Sequence, residues 1–273
     1  MKQLLIFILA VCMLGSWAPP LSAQKQNDII IDKDLEAHSK PLKIKLGTQT
    51  FSKMAKYKFG DYAVVEGKVG WTTTTGGLNL FETKAESQTK NKFSFIMADK
   101  ASNTATLNAA YNLRIKAKME QEVFPLFYVG EDELLLSEEN FTATLFLNKD
   151  TSNLWLLVMK KSFGTQSEDP GGAFLTSRER KILIVSASSN MPNAVLQRML
   201  PARGYQFTEG ETVVSAMQYL GAGALGMNKC YVWLRDELDP ETKLVLSAAM
   251  TALLHKELSE MDGMNSPDIF DDE

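Results

Sequence analysis

The chain has 273 residues, 45% hydrophobic and 23% charged, with a formal net charge of −4. This is the balance of a globular protein, with no low-complexity tract long enough to argue for disorder. The mild acidity argues against nucleic-acid binding, which needs a concentrated basic surface.

The N-terminus reads as an export signal. Met1-Lys2-Gln3 is followed by an apolar run, Leu4 to Leu14, then Pro19-Pro20 and Leu21-Ser22-Ala23 before the polar Gln24. A basic start, a short apolar core and a small residue at the cut describe a cleaved signal peptide over residues 1–23. The expected location is therefore exported, periplasmic or secreted. Cys12 is preceded by Val11 and lacks the small residue that a bacterial lipoprotein needs there. Cleavage after Ala23 removes Lys2, the leader's one charged residue, and takes the net charge from −4 to −5. It also leaves a single cysteine, Cys230, so no intramolecular disulfide can form. A domain of about 250 residues buries enough surface to be stable without one. Cys230 falls in an expected strand, Lys229 to Leu234, as a small buried hydrophobe.

Residues 24–40 are polar around Ile29-Ile30-Ile31 and are expected to form a flexible arm or a short edge strand, with His38 solvated. From Lys43 the pattern is β. Ile44 and Leu46 alternate with lysines, and Val69 to Thr75 is rich in β-branched and aromatic types. Gly76-Gly77 predicts a turn and residues 84–91 a charged loop. Residues 104–118 form one long apolar/polar alternation. Phe141 to Leu147 and Leu154 to Met159 flank Asn148 to Asn153, a hairpin signal. The run LWLLVM is apolar on both parities, which predicts burial on both faces. Residues 162–177 contain Pro170-Gly171-Gly172 and read as a long loop. KILIV (181–185) is another strand, Asn193 to Leu200 one or two helical turns, and Thr212 to Tyr219 the second arm of a hairpin around Glu209-Gly210-Glu211. The acidic tail, 262–273, is expected to be disordered.

Residues 239–258, DPETKLVLSAAMTALLHKEL, organise the rest. Asp239 can N-cap, Pro240 suits the first helical position and Glu241 faces the positive end of the dipole. His255 and Lys256 sit in the expected last turns, with Gly263 as a stop. Leu244 to Leu254 holds only two polar side chains, Ser247 and Thr251, each able to bond back to a carbonyl one turn earlier. A helix that is apolar all round is buried in protein or in a membrane. A bilayer span needs about 20 apolar residues. This core has about half of that, and Glu241, Lys243, Lys256 and Glu257 close its ends. No transmembrane span is therefore expected once the signal is removed. The fold expected for residues 41–261 is mainly β: one closed or nearly closed antiparallel β-barrel of about ten to twelve short strands around this buried helix. Closure removes sheet edges and encloses the helix.

The C-terminal region, Tyr231-Val-Trp-Leu-Arg-Asp-Glu-Leu-Asp239 leading into Lys243 to Leu254, preceded by the strand Glu211 to Tyr219, resembles the tubby C-terminal / phospholipid scramblase / LURP-one-related superfamily. The resemblance covers about a fifth of the chain and implies a twelve-stranded barrel closed around a hydrophobic C-terminal helix. It implies a lipid- or membrane-surface-binding module as one function. The family's phosphoinositide-binding basic residues and palmitoylated cysteine segment have no counterpart here, so no site residue is carried over.

Signatures of chemistry are sparse, and no catalytic, cofactor-binding or metal-ligating residue is assigned. Gly221-Ala-Gly-Ala-Leu-Gly226 spells GxGxxG, yet a strand follows it where a dinucleotide site needs a helix. No GxSxG elbow is present. His255 is the one histidine in the expected folded core, placed to favour the helix C-terminus. Asp32/Asp34 and Asp236/Glu237/Asp239 lack EF-hand spacing and read as solvated charge and capping. Asn140-Phe-Thr142 is a glycosylation sequon by letter, at a strand start. Trp71 and Trp155 are expected in the core. The leading expectation is an exported non-catalytic protein that binds a protein partner or an envelope component. The alternatives are a lipid-surface module and an enzyme of unrecognised type.

Overall fold

The computed structural model describes residues 28–47, 54–79, 84–118, 121–124, 127–129, 133–167, 171–189, 201–223 and 229–264. The expected signal segment (1–23), the GxGxxG run beyond Gly223, the helical turns expected at 193–200 and the tail from 265 lie outside them. In chain order the elements are α1 (Lys33–Ala37), β1 (Leu42–Lys43), β2 (Lys45–Leu46), β3 (Tyr57–Phe59), β4 (Tyr62–Val69), β5 (Thr73–Asn79), β6 (Lys84–Ala98), β7 (Thr104–Lys118), β8 (Gln121–Phe124), β9 (Phe127–Val129), β10 (Glu133–Leu147), β11 (Asp150–Phe163), β12 (Gly171–Thr176), β13 (Lys181–Ser188), β14 (Arg203–Glu209), β15 (Thr212–Leu220), β16 (Tyr231–Leu234) and α2 (Pro240–Met264).

Thirteen strands follow one hydrogen-bonded path, β1-β16-β15-β14-β13-β12-β11-β10-β7-β6-β4-β3-β2, while β5 pairs with β6 off it. Every pairing on the path is antiparallel. The two ends of the path are neighbours in sequence. Leu42 and Lys43 pair with Val232 and Tyr231 of β16, and Lys45 and Leu46 pair with Lys58 and Tyr57 of β3. Ile44, between them, is buried, and its N–H donates to the Cys230 carbonyl at 2.9 Å. One five-residue segment thus joins both edges, and the sheet becomes a nearly closed barrel. The expected fold class is the observed one.

The barrel is filled by α2. Leu244, Val245, Leu246, Ala248, Ala249, Met250, Ala252, Leu253 and Leu254 are each at most 1% exposed. The helix shares its core with inward residues from around the wall, among them Phe95, Leu107, Phe141, Leu157, Leu175 and Phe207. Its start is the expected one. Asp239 accepts from the Thr242 N–H (2.8 Å) and the Thr242 hydroxyl (2.7 Å). Its end is not. The helix passes residue 258 and Gly263 and runs to Met264, so its length is about 37 Å at 1.5 Å per residue. Lys256 and Glu257, expected at a solvated end, are buried. Nor do Ser247 and Thr251 make their expected back-bonds, and both hydroxyls lack a partner.

The strands are longer than expected. β6, β7 and β10 have fifteen residues each, a span of about 50 Å at 3.4 Å per residue. Their barrel halves carry buried Phe93, Phe95, Met97, Leu107, Phe141 and Leu145. Their far halves, joined by β5, extend the ladder as an apron of mostly half-buried side chains. The charged loop expected at 84–91 is therefore strand. Glu86 in this segment is met across the ladder by Arg114 at 2.6 Å, and one strand on Lys118 meets Glu133 at 2.6 Å. Gly76-Gly77 is no turn, for β5 continues through it to Asn79. The loop expected over 162–177 contains β12. Gly171 opens that strand at φ +87°, and a Cβ there would lie 1.9 Å from the Lys160 carbonyl oxygen, so only glycine fits.

The expected flexible arm is docked over its described part, 28–40. Asp32 caps α1 through Asp34 N–H and Leu35 N–H. Ile29 and Leu35 are buried with Ala187, Ala202, Ala216, Ala222 and Trp233 in a second, external core. Gln218 anchors the segment by accepting from the Ile29 N–H at 2.8 Å, and Asp34 pairs with Arg235.

Candidate functional site

Three places concentrate chemistry: the two mouths of the barrel and one stretch of its outer wall. At the C-terminal end of α2, Lys256 Nζ lies 2.5 Å from Glu139 Oε1, 3.0 Å from Glu257 Oε1 and 2.9 Å from Glu260 Oε1. The Tyr205 hydroxyl donates to Glu257 at 2.6 Å, and Lys161 stands 3.5 Å from the same carboxylate. Desolvation pulls the Lys256 pKa down, but Glu257, Glu260 and Glu139 together outweigh it and hold the ammonium above its usual range. An amine kept protonated is neither base nor nucleophile. Desolvation lifts Glu257, but Lys256, Lys161 and Tyr205 reverse that and hold its carboxyl below the usual range. Burial, with Glu139 and Glu257 beside it, raises Glu260. The charges of this cluster are spent on one another, and its effect is to tie the helix to β10 and β11.

His255, one residue before, is 1% exposed. Its Nδ1 meets the Tyr57 hydroxyl at 3.0 Å, and its ring stands edge-on to Phe93, 4.6 Å between centroids. Burial lowers its pKa to about 4. The expected charge interaction with a helix C-terminus is not made, because the helix continues for two more turns and the imidazole is neutral at physiological pH.

At the other mouth an open cleft of about 520 Å³ is lined by Trp155, Ser177, Arg178, Arg180, Asp239 and Thr242, among others. Arg180 binds Glu209 through two 2.7 Å hydrogen bonds, donates to the Thr242 hydroxyl at 2.7 Å and lies over the Trp155 ring, 5.5 Å from its centroid. Hydrogen bonding to Arg180 lowers the Glu209 pKa. This fork ties β13 and β14 to the helix start, and it leaves Trp155 in the core as expected.

The third place is apolar. Along β11 the odd positions Trp155, Leu157 and Met159 point inward and are buried, while Leu154, Leu156 and Val158 point outward. The expectation that LWLLVM is buried on both faces is thus half right, since the second parity is only partly covered: Leu154 is 43% exposed, and Leu156 and Val158 are half-buried. The neighbouring strands repeat the pattern. Phe146 of β10 lies opposite Leu154, Phe174 of β12 opposite Val158, and Leu183 of β13 opposite Phe174. Leu183 and Val185 are 47% and 55% exposed. Directly opposed antiparallel residues share a face, so these seven side chains form one continuous outer surface across four adjacent strands. Its flanks are Thr142, Thr144, Thr208 and Gln206, with Lys181 over the Phe174 ring and Lys160 near Glu138. Contiguous apolar surfaces are where soluble proteins commonly dock partners, which makes this face a candidate. The alternation of apolar residues on both parities of LWLLVM and KILIV was the signal for it.

The remaining sequence candidates are dispersed. Cys230 is buried, its thiol lies 3.4 Å from the Tyr219 carbonyl, and burial pushes its pKa up to about 11. His38 is half-exposed beside Asp34. Asp32 and Asp239 are helix caps. Asn140 lies mid-strand opposite Asn112 and Lys160, not at a strand start. Gly221 to Gly223 follow β15 and lead to β16, within an antiparallel pair. Trp71, expected in the core, is 82% exposed between β4 and β5.

The sequence matches no family model, and searches of curated proteins and of solved structures find no match. The fold defines the chain as an antiparallel β-barrel plugged by its own C-terminal helix.

Proposed function

We propose that this chain is an exported, non-catalytic binding protein that docks a protein partner or envelope component on the outer face of β10 to β13. The observation that carries this is the outward row of exposed Leu154, Leu183 and Val185 with half-buried Leu156, Val158 and Phe174, on a wall whose inner side is already filled. The helix occupies the lumen, so a ligand has the outside of the barrel to bind. Placing several aliphatic side chains toward water costs solubility, and a partner surface offsets that cost at about 25 cal/mol per Å² covered. The flanks favour a protein over a lipid surface. Threonine and glutamine predominate, Lys160 lies near Glu138, and among the described residues only Lys160 and Lys181 bring positive charge to the apolar row. Anionic membranes are bound through larger basic clusters.

Native mass spectrometry of the protein purified gently from its own host tests this. The expected result is an added polypeptide mass that disappears in the Leu183→Glu/Val185→Glu variant. A retained lipid mass would transfer the site to the lipid-surface reading. A bare protein from wild type and variant alike would overturn the docking face.

A further inference from the structure

A different surface carries a second inference, independent of the face on β10 to β13. β5 is tied to β6 along one edge, and among the described residues no strand pairs with its other edge. Residues 71–77 are exposed without interruption, so β5 is uncovered on both faces from Thr73 to Gly77. Natural proteins guard such edges with charge, proline or bulges. This one has no such guard: from Val69 to Phe81 the chain contains no Asp, Glu, Lys, Arg or Pro. Its partner β6, by contrast, carries Lys84, Glu86 and Lys90 in the same stretch. The composition is that of a strand ready to pair, with a run of four threonines, Thr72 to Thr75.

We propose that the free edge of β5 pairs antiparallel with β5 of a second copy of this chain, about a twofold axis near Gly76. The edge is self-complementary. A twofold at Gly76 would set a charge at or beside the axis opposite or diagonal to its own copy, and β5 carries none. Centred on Gly76, the pairing sets Thr75 opposite Gly77 of the other copy. A Cβ built on Gly77 meets nothing within 4 Å, which leaves room for that threonine. The two aprons then become one continuous sheet. Backbone pairing at this edge needs another unguarded strand edge from its partner, and a second copy of the chain brings one. A seven-residue ladder is smaller than a standard interface, about 800 Å² per partner. The association expected is accordingly concentration-dependent.

Sedimentation velocity of the full chain recovered from expressing cells, run as a dilution series, tests this. Wild type is expected to pass from monomer to dimer as concentration rises. Thr75→Lys is expected to remain monomeric throughout, because it sets like charges across the axis, while Thr75→Val keeps the dimer. Amide exchange at 73–79 should slow at high concentration in wild type and in Thr75→Val alone. A wild type that stays monomeric at every concentration overturns the proposal. So does a dimer that survives Thr75→Lys or is lost in Leu183→Glu, since either places the contact elsewhere. If Thr75→Lys fails to fold, the exchange comparison between wild type and Thr75→Val decides, and unchanged exchange at 73–79 overturns the pairing.

Discussion

Lys256 and Glu139, from the helix and from β10, meet with Nζ 2.5 Å from Oε1 where the barrel passes into the apron. The lysine is 2% exposed at its side chain and the glutamate 12%, so the pair is nearly dry. It fixes how far the helix slides along the barrel axis.

Removing one partner of a buried pair leaves the others uncompensated. Lys256→Met would leave Glu139, Glu257 and Glu260 facing each other with Lys161 as the remaining cation of the cluster. Equilibrium denaturation is expected to show a loss of about 3–5 kcal/mol. Glu260→Gln, which removes a carboxylate whose pKa is raised by burial, should cost far less. Equal costs would show that the network is not organised around Lys256.

His255 predicts an acid limb. Its folded pKa is lowered from 6.5 to about 4. The contribution is therefore full above the unfolded value and is lost as pH falls through the window from 6.5 towards 4. The loss is on the order of 3 kcal/mol. Unfolding measured across that window should show this slope in wild type and a flatter one in His255→Gln, which still reaches Tyr57 but does not titrate.

Asn148 and Lys149 form the β10–β11 turn with φ +49° and +63°. Left-handed backbone costs a side-chain-bearing residue about 1 kcal/mol, and a two-residue hairpin turn of this hand favours Asn-Gly. Lys149→Gly is expected to raise stability by about 1 kcal/mol, read as a shift of the denaturation midpoint. A destabilised variant would mean that the lysine side chain contributes more than the strain it carries.

Ser247 is fully buried with an unpartnered hydroxyl in an apolar wall. Ser247→Ala removes that group and introduces the best helix former, for an expected gain of about 1 kcal/mol in denaturant unfolding. A loss would reveal a hydrogen bond that the hydroxyl makes in solution.

The central helix was legible because all three of its signals are local. Asp239-Pro240 marks the start, an apolar run follows on every face, and the run is too short for a membrane. The hairpins at Asn148 and Gly210 were legible for the same reason. The helix end was not, since Lys256, Glu257 and Glu260 look like a solvated terminus until Glu139 and Lys161 are brought to them from far along the chain. The apron was missed because Lys84, Glu86 and Lys90 resemble a loop until β7 pairs with the segment and brings Arg114 to Glu86. The outer face was half visible. Two apolar parities showed that LWLLVM had two apolar sides, and burial was the wrong inference for the second.

By itself the sequence determined a helix that must be enclosed and a set of strands with a period of two to enclose it, because helix capping and hydrophobic periodicity act between near neighbours. Tertiary structure alone decided that residues 42–46 join both edges of the sheet, that two lysines and three glutamates share one dry cluster, and that the apolar rows of four strands fall side by side facing water. These depend on the register between strands distant in the chain. A shift of one residue in that register would exchange the inner and outer faces of a strand.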